Sequence, residues 1–248
     1  ALLQLINDIL DFSKMDAGEL VIDEIDFNLS TAVDHALKTL VLQSHQKGLE
    51  LLCDIRPDVP EILIGDPARL RQVLLNLVGN AVKFTAQGEI LVTVELKKLA
   101  AETAWVTFSV SDTGVGIPAD RQEAIFEAFT QVDGSTTRNY GGSGLGLTIS
   151  SQLVQMMGGT LQVQSEPGQG SRFFFTVALR RPAAPASDSA ATASDEPPVC
   201  GELAGLRMLV VDDNTTSRQI LVRTLAGWGV AVAEADSGDE APAILQHE

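Results

Sequence analysis

The chain has 248 residues, 45% of them hydrophobic and 20% charged, with 33 acidic against 17 basic side chains and a formal net charge of −16. That length suits one large or two small globular domains, and such acidity excludes a broad basic face for nucleic acid or anionic lipid, though not a local basic pocket. Two cysteines far apart, Cys53 and Cys200, make neither a disulfide framework nor a zinc site and fit a reducing compartment, while no uncharged apolar run approaches the ~18 residues of a membrane span and no export signal opens the chain.

In chain order, residues 1 to 17 set Leu2, Leu5, Ile6, Ile9, Leu10 and Phe12 at mostly helical spacing, with Gly18 as a stop. A second helix is predicted from about Ser30, a good cap, through Val33, Leu37, Leu40 and Val41 to Gly48. GLELLCDI then reads as a strand. Gly65-Asp66-Pro67 joins a capping carboxylate to proline at the first helical position, so a helix should run from there to about Phe84. Two strands, 89 to 98 and 104 to 112, are spaced for an antiparallel hairpin. A glycine-rich polar segment precedes a helix at 145 to 157, and TLQVQSE and SRFFFTVAL form a second hairpin across PGQG. Over residues 181 to 204, Ala, Pro, Ser and Thr fill 15 of 24 positions, the composition of a flexible linker. Beyond it LRMLVVDD, a helical stretch at 215 to 226, VAVAEA and a last helical segment spell β-α-β-α, the start of an α/β module. Residue 1 is Ala, and AILQHE ends inside a helix-like pattern, so the expectation is a piece of a longer protein.

Three groups of residues carry chemistry. On the helix at 67 to 84, Arg69, Gln72, Asn76, Asn80 and Lys83 advance by three or four and share one stripe. A solvated face would explain a polar stripe, but asparagine is a poor helix-interior residue. Two of them at i, i+4 with a lysine beyond supply amide oxygens for Mg²⁺ and a charge for phosphates. In WVTFSVSD, Asp112 falls in phase with Val106, Phe108 and Val110, which aims a carboxylate toward the apolar side, where it needs a donor such as the adenine amine. Thr113-Gly114-Val115-Gly116 follows and lets backbone approach a ligand, although an Asp-Gly turn ending a strand has the same look. Gly141 to Leu147 (GGSGLGL) leads small backbone into a helix N-terminus, where phosphate oxygens bind. It is neither a P-loop, lacking Lys-Ser/Thr, nor a dinucleotide fingerprint.

Taken together, NLVGNAVKFT (76–85), DTGVGIP (112–118), IFEAF (125–129), GGSGLGL (141–147) and GQGSRFF (168–174) resemble, in order, the N box, first glycine box, phenylalanine box, second glycine box and last glycine box of sensor histidine kinases. LINDILDFSKMDAGEL resembles the second helix of their dimerisation and phosphoacceptor hairpin, and VVDDN the opening of a receiver domain, which together resemble a hybrid sensor histidine kinase. The resemblance implies an α/β fold, a two-layer sandwich of the GHKL (Bergerat) type with a mixed, mostly antiparallel sheet, followed by a truncated flavodoxin-like receiver. The implied segments are 1–20 (hairpin helix), 21–180 (catalytic ATP-binding domain), 181–204 (linker) and 205–248 (start of a receiver). It implies ATP and Mg²⁺ as cofactors, Asn80 as the principal Mg²⁺ ligand, Asn76 and Lys83 beside the phosphates, and Asp112 at the adenine amine. Gly114 and Gly116 would shape the adenine side, and Gly142, Gly144 and Gly146, with Leu147, would hinge a lid at 130 to 143 and bring amides to the triphosphate. Phe126 and Phe129 would pack at the base of that lid, or simply in the core. Ser171 stands where the family usually has threonine and would reach a water near adenine. Asp212 and Asp213 match the acidic Mg²⁺ pair of a receiver.

The departures are as specific. None of His35, His45 and His247 lies in a His-Glu/Asp phosphoacceptor motif, and His35 and His45 read as surface histidines. The histidine and its neighbouring acid or base would therefore lie on a helix outside this chain, as would the receiver's phosphorylatable aspartate. Pro242 interrupts the second receiver helix, which nothing in the sequence explains. The expected activity is transfer of the ATP γ-phosphate to a histidine and onward to a receiver aspartate, with this piece alone binding ATP without autophosphorylating. Expected partners are the hairpin, a second copy in the intact protein, and receiver or phosphotransfer domains, but no nucleic acid. The expected location is cytoplasmic, with membrane anchoring of a parent left open. Within the chain the cations available to ATP are Lys83 and Arg69. The alternatives are a GHKL-superfamily ATPase and a non-catalytic dimerisation or regulatory module.

Overall fold

The structure is a computed structural model that describes residues 6, 9–11, 13–15, 17–127, 144–182, 203, 205–242 and 244. The chain divides into two compact units, Ala1–Ala183 and Ala184–Glu248. The described residues between 6 and 15 are helical.

The first unit is built on a seven-stranded sheet of β1 (Ile25–Asn28), β2 (Glu50–Ile55), β3 (Ile62–Gly65), β4 (Glu89–Leu99), β5 (Thr103–Asp112), β6 (Gln162–Glu166) and β7 (Gly170–Arg180). Its order is β1-β3-β7-β5-β4-β2, with β6 also paired to β7. Only β2 with β4 is parallel, so the sheet is mixed and mostly antiparallel as expected. Helices α1 (Leu29–Gln46), α2 (Pro67–Phe84) and α3 (Gly146–Met156) complete the sandwich, and short 3-10 turns stand at Ala119–Arg121 and Ala124–Phe126.

Alternation fixes which face the helices cover. Val92, Val94, Val106, Phe108, Val110, Phe173, Phe175 and Val177 are buried at every second position and meet Val73, Leu74, Leu77, Val78 and Ala81 of α2. Phe108 and Phe175 stack at 5.2 Å between centroids, and burying each such side chain contributes roughly 1.5–3 kcal/mol. On the opposite face lie half-buried polar and aromatic groups, among them the paired hydroxyls of Thr107 and Thr176 at 2.8 Å and Lys98 over Trp105 at 4.9 Å.

Two local expectations change. Helix α1 starts at Leu29 with Asn28, not Ser30, as its cap, because Asn28 Oδ1 accepts the Thr31 amide at 2.9 Å. Burial of Leu29 and its amide bond to the Glu61 carbonyl draw the start toward β3. Strands β1 and β3 were not expected at all; each has four residues, and they exist by pairing with one another across the start of the sheet. Helix α2, by contrast, begins where the sequence marks it, with Asp66 Oδ1 accepting the Ala68 and Arg69 amides at 3.0 and 2.9 Å ahead of Pro67.

In the second unit, β8 (Arg207–Val211), α4 (Thr215–Gly227) and β9 (Ala231–Ala235) form a parallel β-α-β unit. No helix among the described residues is long and apolar enough to cross a membrane. Residues 183–202 and 204 of the expected linker, with Cys200, and His247 lie outside the described residues.

Candidate functional site

The site forms where α2 runs past the ends of β5 and β7 and meets the start of α3. At the C-terminal end of α2, Thr85 and Phe84 adjoin the loop that leaves β5. Asp112 closes β5 opposite Ile90 of β4 and Ser171 of β7. Its Oδ1 accepts the Gly114 amide at 2.8 Å. Burial pushes the carboxyl above the usual aspartate range, against the opposing pull of the Gly114 amide, the Ser171 amide and the Thr85 hydroxyl. Thr85 Oγ1 is buried beside this carboxylate and has no partner at good hydrogen-bond geometry. A Cβ on Gly114 would come within 2.7 Å of both the Asp112 Oδ1 and the Phe84 carbonyl, so the turn closes only around glycine. Gly116 has φ +69 and faces the Glu166 carbonyl, against which a Cβ would collide. An aspartate that accepts, a buried hydroxyl beside it and backbone at close range make a cradle for a planar group with an exocyclic donor.

Farther up α2 the stripe divides. Asn76 Nδ2 donates to Ser150 Oγ of α3 at 2.8 Å, and Gly146 leaves no room for a Cβ beside Asn76 Oδ1. Asn76 is thereby held at the start of α3, which follows Leu145 with no capping side-chain hydrogen bond among the described residues. Asn80 is half-buried one turn on, and Lys83 follows, its Nζ 4.8 Å over the Phe84 ring and its pKa lowered by burial. Nine residues of helix, about 13 Å, separate Asn76 from Thr85, a span that an extended nucleoside triphosphate covers. The residues present fit Mg-ATP on chemistry as well as span: acceptors at one end, amide oxygens and amides with a lysine at the other.

Arg69 does not join them. Its Nη1 donates to Asp11 Oδ2 at 3.3 Å and to Gln72 Oε1 at 2.8 Å, and Gln72 Nε2 donates to the same Asp11 oxygen at 2.8 Å. The N-terminal part of the stripe thus anchors the first helical segment, leaving Lys83 as the cation of its C-terminal half. Phe126 meets Phe173 edge-on at 6.4 Å and is a core side chain. Phe129, Gly142 and the expected lid at 130–143 lie outside the described residues; Gly144, with φ +71, lies just past them. Leu147 packs against the core beside Gly146. His35 and His45 are exposed on α1, as expected.

The sequence did not reveal Asp11, Thr85, Ser150 or Gly170. Gly170 has φ +98 and sits where a Cβ would meet the Asp112 carbonyl, so the cradle at Asp112 is walled by backbone from β7 as well as from the loop after β5. Its signal was its place in GQGSRFF, the last glycine box of the resemblance, in which only Ser171 was given a role. Lys47 was missed too; its Nζ donates to the Val82 and Lys83 carbonyls at 2.6 and 3.2 Å and finishes the C-terminus of α2.

In the second unit, Asp212 Oδ2 accepts the Ser217 hydroxyl at 2.6 Å and Oδ1 the Asn214 amide at 2.8 Å, and these bonds hold its carboxyl below the usual range. Asp213 is exposed beside it. No cluster of three or more His, Cys, Asp or Glu able to hold a metal occurs among the described residues.

Residues 65–181 match the family of histidine kinase-, DNA gyrase B- and HSP90-like ATPases. The signal transduction histidine-protein kinase BarA of Escherichia coli (strain K12) is 42% identical over 91% of this chain, and hybrid signal transduction histidine kinase K of Dictyostelium discoideum is 33% identical over 100% of it. The chain spans about a quarter or less of those proteins, 24% and 21% of their lengths. The full-length crystal structure of ShkA in complex with AMPPNP matches with a TM-score of 0.79 and 32% identity, over 98% of this chain and 47% of ShkA. Residues 65–181 therefore belong to the histidine kinase-, DNA gyrase B- and HSP90-like ATPases, and the chain as a whole is similar to sensor histidine kinases, hybrid kinases among them.

Proposed function

We propose that residues 21–180 bind Mg-ATP along the C-terminal half of α2, with the base at Asp112 and the phosphates at Asn76, Lys83 and the start of α3. In the whole protein the γ-phosphate then passes to a histidine outside these 248 residues and onward to a receiver aspartate. The observation that carries this is the pair of close approaches, Gly114 on Asp112 and the Phe84 carbonyl and Gly146 on Asn76, at the two ends of one helical span. Asp112 accepts the adenine amine, while Gly114 and Gly116 bring backbone against the base and exclude bulk water from it. Asn76, fixed by Ser150, orients the phosphate chain, and Lys83 offsets its charge. Asn80 would hold Mg²⁺ through its side-chain oxygen; a bound cation neutralises charge on the phosphates during transfer. Gly142, Gly144 and Leu147 belong to the same glycine box and would close over the triphosphate, and Ser171 borders the base. The second unit would serve as the beginning of a receiver, with Asp212 and Asp213 at its metal site.

Calorimetric titration of the chain with Mg-ATP tests the reading. Asp112→Asn should weaken binding about a hundredfold, the size of a lost charged hydrogen bond with its partner left buried. Asn80→Ala should remove the Mg²⁺ dependence of binding while ATP alone binds as before. Equal affinity of Asp112→Asn and the unaltered chain would overturn the site. With γ-labelled ATP, no label should reach His35 or His45; label there would overturn the placement of the acceptor outside the chain.

A further inference from the structure

Asp112, Ser171 and Ser165 stand in one row across β5, β7 and β6, since Asp112 pairs with Ser171 and Ser171 with Ser165, and paired residues of antiparallel strands share a face. That face is the one that carries Phe173 and Phe175 into the core. Ser165 is the centre of a small network: its Oγ accepts the Ile117 amide at 2.7 Å, contacts the Gly170 carbonyl at 2.8 Å and lies 3.0 Å from Ser171 Oγ. Gln122 Nε2 braces both sides of the contact, donating to the Ile117 carbonyl in the loop after β5 at 3.0 Å and to the Ser165 carbonyl of β6 at 2.8 Å.

A hydroxyl has one hydrogen and two lone pairs. The Gly170 carbonyl can only accept, so the single Ser165 hydrogen goes to it, and one lone pair is taken by the Ile117 amide. What remains is one lone pair, and the Ser171 hydroxyl must fill it by donating. Ser171 is thus turned so that its own lone pairs face away from Ser165, in the row that ends at Asp112. We infer that Ser165 is a positioning residue for base recognition: it fixes Ser171 as a second acceptor beside Asp112, so that the cradle favours a purine with an amine at C6 over one with a carbonyl there. This rests on the proposed placement of adenine at Asp112.

The test is calorimetry of the full chain with ATP and with inosine triphosphate, which carries a carbonyl at C6, each with Mg²⁺. Ser165→Ala frees the Ser171 hydroxyl to donate, so ATP should bind about tenfold more weakly while inosine triphosphate changes less than about twofold. A merely structural role weakens both alike and would overturn the inference. Ser165→Thr, which keeps the hydroxyl, should restore the preference, and Ser165→Ala combined with Ser171→Ala should discriminate no worse than Ser171→Ala alone. Should Ser165→Ala fail to fold, Ser171→Ala decides: it should lose the same preference, and an unchanged ratio would overturn the inference. Asp112→Asn separates the two ideas. Lost ATP binding there with an unchanged ratio in Ser165→Ala sinks the role of Ser165 alone, whereas normal ATP binding by Asp112→Asn sinks both.

Discussion

The two ends of the proposed nucleotide span are made differently. At the base end, Asp112, Gly114, Gly116, Gly170 and Ser171 are set by strand pairing and by backbone packed against backbone, so their positions are those of the sheet. At the phosphate end, Asn76 is held by a single side-chain bond to Ser150, and Asn80 and Lys83 project from one helix face at half-burial. On the proposed reading the base end therefore comes ready-made, while the phosphate end would take its final form with the ligand and its cation. The difference teaches that a polar stripe is not one device: its first turn, Arg69 and Gln72, grips Asp11, and only its later turns are left for the proposed nucleotide.

The sharpest way to break the comparison is Gly170→Ala. Positive φ and collision with the Asp112 carbonyl should cost about 3 kcal/mol or more, measured by urea unfolding; a change within about 0.5 kcal/mol would mean the base end is no more rigid than an ordinary surface loop. Less drastic is the pH response of ATP binding. Burial raises the Asp112 pKa, and only the ionised carboxylate is a full acceptor for the amine, so affinity should fall as pH drops through that raised value, beginning above the ordinary aspartate range. The sign for stability is opposite. The folded chain holds this proton more tightly than the unfolded chain, so the contribution of Asp112 to stability is greatest at low pH and is lost as pH rises from the ordinary value through the raised one. Titrating affinity and melting temperature in parallel checks both directions, and Asp112→Asn should flatten them. The smallest effect belongs to the first turn of the stripe: Asp11→Ala should lower stability by about 1 kcal/mol or less and speed hydrogen exchange in the first helical segment, with ATP affinity unchanged.

Legibility followed how local the determining forces are. Helix α2 was readable because Asp66 and Pro67 act within one turn, and the β4–β5 hairpin because its two alternating runs are close in sequence. The cap of α1 was misjudged by two residues, since Asn28 and Ser30 are both competent caps and the choice falls to the burial of Leu29. Strands β1 and β3 carry one fully buried apolar side chain apiece, Phe27 and Leu63, too little periodicity to register before they pair. In the site, Asp112, Asn76 and the glycines announced themselves by residue type and phase. Thr85 and Ser150 did not, because a hydroxyl is ordinary until its surroundings are known. Arg69 was assigned to the phosphates for want of any sign that Asp11, 58 residues away, would claim it.

The sequence by itself determined the periodic elements, the cap of α2 and the chemical identity of both ends of the site, because capping, alternation and helical phase act over a few residues. The tertiary structure alone decided which half of the α2 stripe is taken by Asp11, which glycines meet backbone at close range, and that Ser165 stands behind Ser171. Those depend on contacts between segments far apart in the chain, where a carbonyl or carboxylate arrives within van der Waals reach only after the sheet has closed.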